Sequence, residues 1–434
     1  MRAWVALAAP EQPKPVRYSF SGVQGPGGST FGPGRARALI VLVVFTVLAA
    51  AGAATGSSPR EVVSAPVRLF FPSFGDSDAA GVTTSTAPAC KPQATLRERA
   101  ARVLIVGMPE VKDADDPLPT ELMKLGVGGV LLTGDNVETR AQVTRLTQGL
   151  KRQSRHPLIV STDEEPGRVT SFGHVIGYTS SARRLAREGT TDAMRALARE
   201  QAAELASMGI TLDLAPVADL DGGPSDATIG DRSFSADPAV ASRYAYAYAL
   251  GLADEGVGAV AKHFPGRAKA EGDDHVGRIV SNASMDELRA ADLKPFAQLI
   301  ALGMPVIMLS NIDYAAIDPN TPASLSARAY SMLREMGFKG VAITDSIGMG
   351  AVNQRWDWAE ASVKAIASGA DGVLSTGGAF ARDMVHGLVV AVQKGELSEA
   401  RLNEAAGRMV ALAGGDPMAF ACQSVELPKL QRQP

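Results

Sequence analysis

From residue 97 onward, the chain alternates short apolar runs with segments that have helical spacing. In residues 192–208, for example, the apolar side chains recur so that they fall on roughly one face of a helix. Each apolar run ends in a turn or a charged loop, as a buried strand does. The runs are Val103–Val106, Gly128–Leu132, Leu158–Ser161, Thr211–Leu214, Val257–Ala261, Val306–Leu309, Val341–Ile343 and Val373–Leu374.

Apolar strands that alternate with helices predict parallel pairing through right-handed crossovers. The eight units span roughly 320 residues, and this length predicts a (β/α)8 TIM barrel in a single folded α/β domain. We expect the domain to cover residues 96–424 and to be followed by a short tail, residues 425–434. A doubly wound open sheet is the alternative that the pattern alone leaves open.

A barrel of this kind carries its chemistry at the carboxyl ends of the strands. Polar residues directly follow several of the predicted strands, whereas the opposite strand ends are mostly small or turn residues. We therefore expect the functional side chains to meet at one end of the barrel. The polar residues in question are Asp163, Asp219, Lys262, His263, Asn311 and Asp345.

The N-terminal part of the chain has a different composition. Residues 1–37 are rich in Pro, Gly and Ser and are predicted to be a disordered basic segment, and residues 55–95 are predicted to be a Ser/Thr/Pro-rich linker. Between them, residues 38–54 form a continuous apolar run, which predicts a signal anchor or the apolar core of a cleaved signal peptide. A buried core helix is the alternative. Export predicts an extracytoplasmic protein of the bacterial cell envelope, either membrane-anchored or secreted.

Charge and cysteine content add two constraints. The formal net charge of −3 gives no reason to expect nucleic-acid binding. The two cysteines, Cys90 and Cys422, bracket the predicted domain. In an exported protein this arrangement suggests a disulfide that ties the ends of the domain together, although two independent thiols fit the sequence as well.

The stretch from Ala261 to His275 carries the first candidate chemistry. Here an apolar run gives way to a charged loop that contains Pro and Gly. Asp273 and His275 stand two residues apart in this loop, and a carboxylate beside an imidazole can orient it for general acid/base catalysis. A surface loop with a chance Asp-x-His pattern is the alternative. The sequence contains no apparent metal-ligand cluster or phosphate-binding glycine loop, so we expect neither a metal nor a cofactor.

Four stretches of the chain match known motifs in the same order. They are Ala215-Pro-Val-Ala-Asp219, Gly230-Asp-Arg-Ser-Phe234, Lys262-His-Phe-Pro-Gly266 with Asp273-Asp-His275, and Gly337-Phe-Lys-Gly-Val-Ala-Ile-Thr-Asp345 with Met349-Gly-Ala351. With these motifs the chain resembles glycoside hydrolase family 3, and within it the single-domain β-N-acetylglucosaminidases. The third stretch resembles the signature Lys-His-(Phe/Ile)-Pro-Gly-His-Gly, four residues, then Asp-(Ser/Thr)-His. The similarity runs from about residue 97 to residue 415.

The resemblance implies a retaining exo-β-N-acetylglucosaminidase that acts on peptidoglycan fragments or related glycans. Asp345 would be the nucleophile, and His275, oriented by Asp273, would be the acid/base. The residues that would bind the terminal GlcNAc are Asp163, Arg232, Lys262 and His263. A helix N-cap is the structural alternative for Asp345, as an ion pair is for Lys262 and a core histidine is for His263. We expect a monomer that contacts a membrane only through its N-terminal segment.

The chain also departs from the family pattern at several positions. The signature's second His and last Gly are Arg267 and Ala268 here, Ser171 stands where the family has a sugar-contacting Arg, and Asn311 stands where it usually has His. The chemistry residues remain intact, but two other functions stay open. One is a GlcNAc phosphorylase of the same fold, since a histidine acid/base repels an incoming phosphate less than a carboxylate does. The other is a catalytically weak cell-wall glycan-binding protein.

Overall fold

The computed structural model of the chain describes residues 90–267 and 270–432. The predicted disordered segment, the apolar run 38–54 and the linker up to residue 89 lie outside the described residues. Within the described ranges, no helix is both long and apolar enough to cross a membrane.

Eight parallel strands form the centre of the structure. They are β1 (Leu104–Gly107), β2 (Gly129–Leu132), β3 (Ile159–Thr162), β4 (Leu212–Asp213), β5 (Gly258–Phe264), β6 (Val306–Leu309), β7 (Val341–Thr344) and β8 (Val373–Ser375). They pair in chain order, and β8 pairs back to β1. A bridge between Ile343 and Gly372 joins β7 to β8 and completes the ring. The prediction of a (β/α)8 barrel is confirmed. The open-sheet alternative is wrong, because an open sheet has two unpaired edge strands, whereas each strand here is paired on both sides.

Helices follow the strands and cover the outside of the barrel. The helices are α1 (Leu96–Arg102), α2 (Pro117–Leu125), α3 (Arg140–Gln153), α4 (Gly173–Ile176), α5 (Ala182–Glu188), α6 (Thr191–Ser207), α7 (Pro238–Asp254), α8 (Met285–Ala290), α9 (Leu293–Ala301), α10 (Ala327–Glu335), α11 (Gly350–Asn353), α12 (Trp358–Ser368), α13 (Ala381–Lys394), α14 (Glu399–Leu412) and α15 (Met418–Ala421). Short 3-10 turns lie at Gly134–Asn136, Gly230–Arg232, Ala323–Leu325 and Gly378–Phe380. The predicted helix 192–208 is α6, which begins one residue earlier because the side chain of Thr190 caps it by accepting from the Ala193 N–H.

The strands read as continuous apolar runs because both of their faces are buried. In β1, for example, Ile105 belongs to the cluster inside the barrel, whereas Leu104 and Val106 pack outward against the helices. The same alternation recurs in β6, where Val306 and Met308 point inward. Each such side chain contributes about 1.5–3 kcal/mol of burial free energy.

Strand β5 extends three residues beyond its predicted end and includes Lys262, His263 and Phe264. The prediction ended the strand at Ala261 because charged residues normally mark a loop. Here Lys262 is buried in an ion pair with Glu165, and the His263 ring contacts the Asp219 carboxylate, so the backbone keeps its ladder hydrogen bonds. The pairing register between β5 and β6 also shifts between Lys262 and Phe264, which is how a strand re-aims a side chain.

A second, three-stranded sheet lies beyond β6 and was not predicted. Its strands are Val280–Ser281, Asp313–Tyr314 and Asp318–Pro322. The fully buried carboxylate of Asp313 accepts from Arg278 at 2.7 Å and from Arg355 at 2.9 Å. This sheet therefore joins the segment after residue 275 to the segment after β7.

The opposite, amino-terminal end of the barrel is its base, and Asp371 closes the ring there. The Asp371 side chain is fully buried and accepts from the Ala342 N–H at 2.9 Å, which ties the start of β8 to β7. Three guanidinium groups also contact it, those of Arg334, Arg401 and Arg408. Burial alone would raise the pKa of Asp371, but these three positive charges hold that pKa below its ordinary value.

The ends of the domain are joined at the base. Cys90 and Cys422 form a disulfide with a Cα–Cα distance of 5.8 Å, so the suggested pairing is confirmed. Just before Cys422, the ring of Phe420 packs edge-on against His156 with centroids 5.2 Å apart. His156 precedes β3, which places the disulfide near the amino-terminal strand ends. In the tail, the Gln431 N–H donates to the carbonyl of Leu302.

Replacement of Asp371 by Asn tests the importance of the base network. We expect Asp371→Asn to lower the free energy of unfolding by about 3 kcal/mol, because three cations lose their buried counter-charge. The difference from the natural protein should shrink as the pH falls through the low pKa of Asp371, since protonation then neutralises the natural carboxyl as well. Urea unfolding at several pH values measures both effects. Glu121→Gln, which breaks the exposed pair with Arg382, is the control and should cost less than about 1 kcal/mol; an equal cost at both positions would contradict the prediction.

Candidate active site

A buried cluster of ion pairs around Glu165 lies at the carboxyl end of the barrel. Its carboxylate accepts from Arg232 through two nitrogens, at 2.8 and 2.7 Å. It also pairs with the Lys262 Nζ at 2.7 Å, and the Glu165 side chain is only 1% exposed. The loop after β3, the 3-10 turn Gly230–Arg232 and strand β5 are thereby held together.

Charge pairing fixes the ionisation of this cluster. Burial on its own would raise the pKa of Glu165, but Arg232 and Lys262 hold that pKa far below its ordinary value. Burial would lower the pKa of Lys262, and the charges of Asp163 and Glu165 instead raise it. Glu165, Arg232 and Lys262 are therefore charged at neutral pH.

Two neighbouring residues of β5 both reach this end of the barrel. Lys262 follows the inward alternation set by Val260, and the register shift after it lets His263 contact a site residue as well. The Lys262 Nζ donates to Asp163 at 2.6 Å, and the His263 Nδ1 lies 2.7 Å from the Asp219 carboxylate. Asp163 is 31% exposed, so part of its carboxylate remains accessible to a ligand.

Asp345 directly follows β7 and faces the same end. Its backbone N–H donates to the carbonyl of Leu309, and one carboxylate oxygen accepts from the Ser346 N–H at 2.7 Å. Burial raises the pKa of Asp345 above its ordinary value, and the negative charge of Asp274 adds to this effect. The imidazoles of His263 and His275 oppose it.

Asn311 supports the backbone next to Asp345. Its Nδ2 donates to the carbonyl of Ser346 at 2.8 Å, and its Oδ1 accepts from the hydroxyl of Ser324. The side chain is fully buried. Asn311, which stands where the family usually has histidine, thus uses both ends of its amide in hydrogen bonds. It thereby holds the backbone of the loop after β7.

The Asp-x-His pair lies on a loop that contacts the segment after Asp345. The His275 Nδ1 is 2.7 Å from an Asp273 oxygen, and the two side chains are 48% and 44% exposed. Burial raises the pKa of Asp273, but hydrogen bonds from the backbone and ring of His275 bring it below its ordinary value. Asp273 is therefore an anion that orients the ring.

Backbone hydrogen bonds dock this loop on the start of α11. The Gly350 N–H donates to the carbonyl of His275 at 2.9 Å, and the Ala351 N–H donates to that of Asp274 at 3.0 Å. A Cβ at position 350 would stand 2.5 Å from the carbonyl oxygen of Val276. Only glycine allows this close approach, which brings the loop that carries His275 against the loop that carries Asp345.

One group of side chains has the spacing of metal ligands. Within residues 90–267 and 270–432, potential ligand atoms of Asp273, Asp274 and His275 lie within 4.8 Å of one another. The structure already pairs Asp273 with His275, and it pairs Asp274 with Arg267. These internal partners explain the cluster without a cation.

All seven candidate site residues lie at or next to the carboxyl end of the barrel. They are Asp163, Arg232, Lys262, His263, Asp273, His275 and Asp345. Sequence reasoning missed Glu165, which lies between Arg232 and Lys262 and pairs with both. Its position two residues after Asp163, in a loop that follows a strand, was the available signal. Asp219 was noted at a strand end, but its pairing with His263 was not predicted.

The model of the glycosyl hydrolase family 3 N terminal domain matches residues 95–412. The chain belongs to glycosyl hydrolase family 3. Beta-hexosaminidase LpqI of Mycobacterium tuberculosis is 33% identical over 371 residues, which cover 84% of this chain and 91% of that protein. A beta-hexosaminidase of Stenotrophomonas maltophilia is 36% identical over 233 residues, covering 52% of this chain and 69% of the relative.

Solved structures of this glycosyl hydrolase family agree with the fold. A family 3 glycosyl hydrolase of Mycobacterium smegmatis has a TM-score of 0.70 and 35% identity, covering 74% of this chain and 98% of its own. A family 3 beta-N-acetylglucosaminidase of Paenibacillus has a TM-score of 0.71 and 28% identity, covering 77% of this chain and 65% of its own. The protein is therefore a glycoside hydrolase, and its relatives place it with the β-hexosaminidases of family 3.

Glu165→Gln tests the ion cluster of this glycosidase. We expect the free energy of unfolding to fall by about 3 kcal/mol, because two buried cations lose their shared counter-charge. Asp163→Asn is the matched control in the same cluster. Its carboxylate is partly exposed, so water can replace it, and the loss should be less than about 1 kcal/mol. Denaturant unfolding of both variants measures these losses. Equal losses of unfolding free energy would contradict the prediction, because they would indicate that Glu165 and Asp163 stabilise the cluster equally.

Proposed function

We propose that the protein is a retaining exo-β-N-acetylglucosaminidase that removes terminal β-linked GlcNAc from peptidoglycan fragments or related glycans. The observation that carries the proposal is the docking of two loops. Backbone carbonyls of the loop with Asp273 and His275 accept hydrogen bonds from N–H groups of the segment that follows Asp345. A carboxylate and an oriented imidazole near one another are what a double-displacement mechanism requires.

In the first step, the Asp345 carboxylate attacks the anomeric carbon of the terminal sugar. The bond from that carbon to the leaving oxygen breaks, and protonated His275 gives its proton to this oxygen. A covalent glycosyl-enzyme forms on Asp345. Asp273 stabilises the protonated ring in the reactant and holds its orientation as the proton leaves.

In the second step, neutral His275 takes a proton from water, and the oxygen of that water attacks the anomeric carbon. The bond to Asp345 breaks, the sugar leaves with its original β configuration, and His275 is again protonated. The Asp273/His275 pair is about half exposed, so the released leaving group can diffuse into solvent between the two steps.

The terminal sugar is proposed to bind to Asp163, Arg232, Lys262 and His263. Charged donors and acceptors suit the hydroxyl groups of a sugar, since an analogue that lacks one leaves a buried polar group unpaired. Glu165 supports this binding because it holds both cations in fixed positions. The exposed part of Asp163 offers an acceptor for a hydroxyl.

The substrate class and location rest on related proteins and on one covalent feature. The names of relatives, beta-hexosaminidase and beta-N-acetylglucosaminidase, support an N-acetylated amino sugar. The Cys90–Cys422 disulfide supports an oxidising compartment outside the cytoplasm. We therefore place the enzyme in the cell envelope, secreted or held there by residues 38–54.

Azide rescue tests the roles of Asp345 and His275. On an aryl β-GlcNAc substrate, Asp345→Ala should lower kcat by roughly 10⁴-fold, and added azide should yield the α-glycosyl azide by direct displacement. His275→Ala should lower turnover of poor leaving groups by roughly 100-fold or more, and azide should yield the β-glycosyl azide from the covalent intermediate. Product stereochemistry is read by NMR.

The nearly fully exposed Asp286 provides the control, since Asp286→Ala should leave kcat unchanged. Full activity of Asp345→Ala would refute the nucleophile assignment. Assay in phosphate buffer separates hydrolysis from phosphorolysis, because the proposal predicts GlcNAc as product, whereas GlcNAc-1-phosphate would contradict it. Muropeptide binding without turnover would likewise contradict the proposal.

The pH dependence of kcat/KM should reflect the environment of Asp345. Burial and the charge of Asp274 raise its pKa, so Asp345 takes up a proton at a higher pH than an ordinary aspartate does. The protonated carboxyl is not a nucleophile, and the acidic limb of the profile should therefore lie above the ordinary aspartate value. A limb at or below that value, measured with the aryl substrate, would contradict this prediction.

A further inference from the structure

Two residues near the candidate acid/base differ from the family signature, and the structure pairs them. The signature has His where this chain has Arg267, and Ser or Thr where it has Asp274. The Arg267 Nη1 donates to the Asp274 carboxylate at 3.2 Å, and its Nη2 donates to the carbonyl of Gly272 at 2.6 Å. One guanidinium group therefore holds both a side chain and the backbone of the loop.

This ion pair is shielded from water. The side chains of Arg267 and Asp274 are 11% and 6% exposed. Removal of either partner would leave a nearly buried charge without its counter-charge, which is far more costly than loss of an exposed pair. The two departures from the signature therefore depend on each other: the arginine is what permits an aspartate at position 274.

The pair lies between the two catalytic loops. Asp274 sits between Asp273 and His275 in the sequence, and its carbonyl accepts from the Ala351 N–H of the segment after Asp345. Arg267 is the third residue after the end of β5, and the carbonyl of the preceding Gly266 accepts from the hydroxyl of Tyr314. A connection therefore runs from the rigid barrel through Arg267 to the loop of His275.

Charges also link the pair to the reacting groups. The positive charge of Arg267 contributes to the lowered pKa of Asp273, and the negative charge of Asp274 contributes to the raised pKa of Asp345. Arg267 is the cation that pairs with Asp274, so its loss would leave the negative charge of Asp274 less compensated beside Asp345. The pair thus affects both the orientation of the loop and the charge balance beside the nucleophile.

We propose that Arg267 is a positioning residue, which through its ion pair with Asp274 holds the Asp273/His275 pair in place for proton transfer. This inference rests on the proposed function, because it assigns His275 the role of acid/base. Arg267 acts only through the loop, so its loss should weaken proton donation more than it weakens sugar binding.

Leaving-group dependence provides the test. Glycosides with a very acidic leaving group, such as 2,4-dinitrophenyl β-GlcNAc, need no proton for the first step, whereas 4-methoxyphenyl β-GlcNAc does. We expect Arg267→Ala to lower kcat/KM for the methoxyphenyl substrate by roughly 10- to 100-fold, and for the dinitrophenyl substrate by less than about threefold. A purely structural role would lower both values equally, and that result would overturn the proposal.

A double-mutant cycle tests the pairing with Asp274. Independent residues would multiply their losses, whereas partners in one ion pair share them. We therefore expect Arg267→Ala combined with Asp274→Ser to lose about as much as the worse single variant on the methoxyphenyl substrate. The combination of Arg267→His with Asp274→Ser, which restores the residue types of the signature, should lie within about tenfold of the natural enzyme. Multiplicative losses would overturn the proposal.

Two further variants keep the test decisive. Arg382→Ala removes an arginine from an exposed ion pair and should not change either kcat/KM value. If Arg267→Ala does not fold, Arg267→Lys replaces it, since lysine keeps the charge but cannot bridge Asp274 and Gly272 as a planar fork does. Its loss should again be greater for the methoxyphenyl substrate, and equal losses would overturn the proposal.

His275→Ala separates the inference from the proposed function. If His275→Ala shows no leaving-group dependence, the acid/base assignment fails and the positioning role fails with it. If His275→Ala shows the dependence and Arg267→Ala does not, the acid/base assignment stands and only the positioning role is overturned.

Discussion

The site depends on a single desolvated anion, Glu165, that neutralises two cations from different parts of the chain. Arg232 lies on a loop after β4, and Lys262 lies within β5. Arg232 relies on Glu165 as its carboxylate partner, and Lys262 pairs with both Glu165 and Asp163, because an unpaired buried charge costs several kcal/mol. The pairing therefore fixes the positions of both side chains at the carboxyl end of the barrel, and it explains how a charged residue can occupy the last part of a barrel strand.

A second constraint acts on the loops and not on the strands. The segments that carry His275 and Asp345 share backbone hydrogen bonds at Gly350 and Ala351, and the buried Asp313 ties the following residues of both segments together through Arg278 and Arg355. Such shared anchors couple the positions of the two loops. In the proposed mechanism, proton transfer and attack at the sugar carbon are both sensitive to distance, and a common anchor would fix both distances at once.

The sequence predicted much of the fold because periodicity records burial. Eight apolar runs matched the eight strands. The polar residues that follow these runs, Lys262 among them, predicted the end of the barrel at which the candidate site lies. The extension of β5 was missed because periodicity treats any charge as exposed, whereas Lys262 and His263 are paired inside the barrel. Glu165 and the Arg267–Asp274 pair were missed for a related reason: partners distant in sequence, or brought together by a loop, leave no local pattern.

The disulfide at the base fixes one end of the described chain relative to the barrel. Cys90 is joined to Cys422 beside the residues that precede β3, at the pole of the barrel remote from Asp345. The covalent crosslink therefore holds the backbone of residue 90 at this far pole, away from the strand ends that carry Asp345.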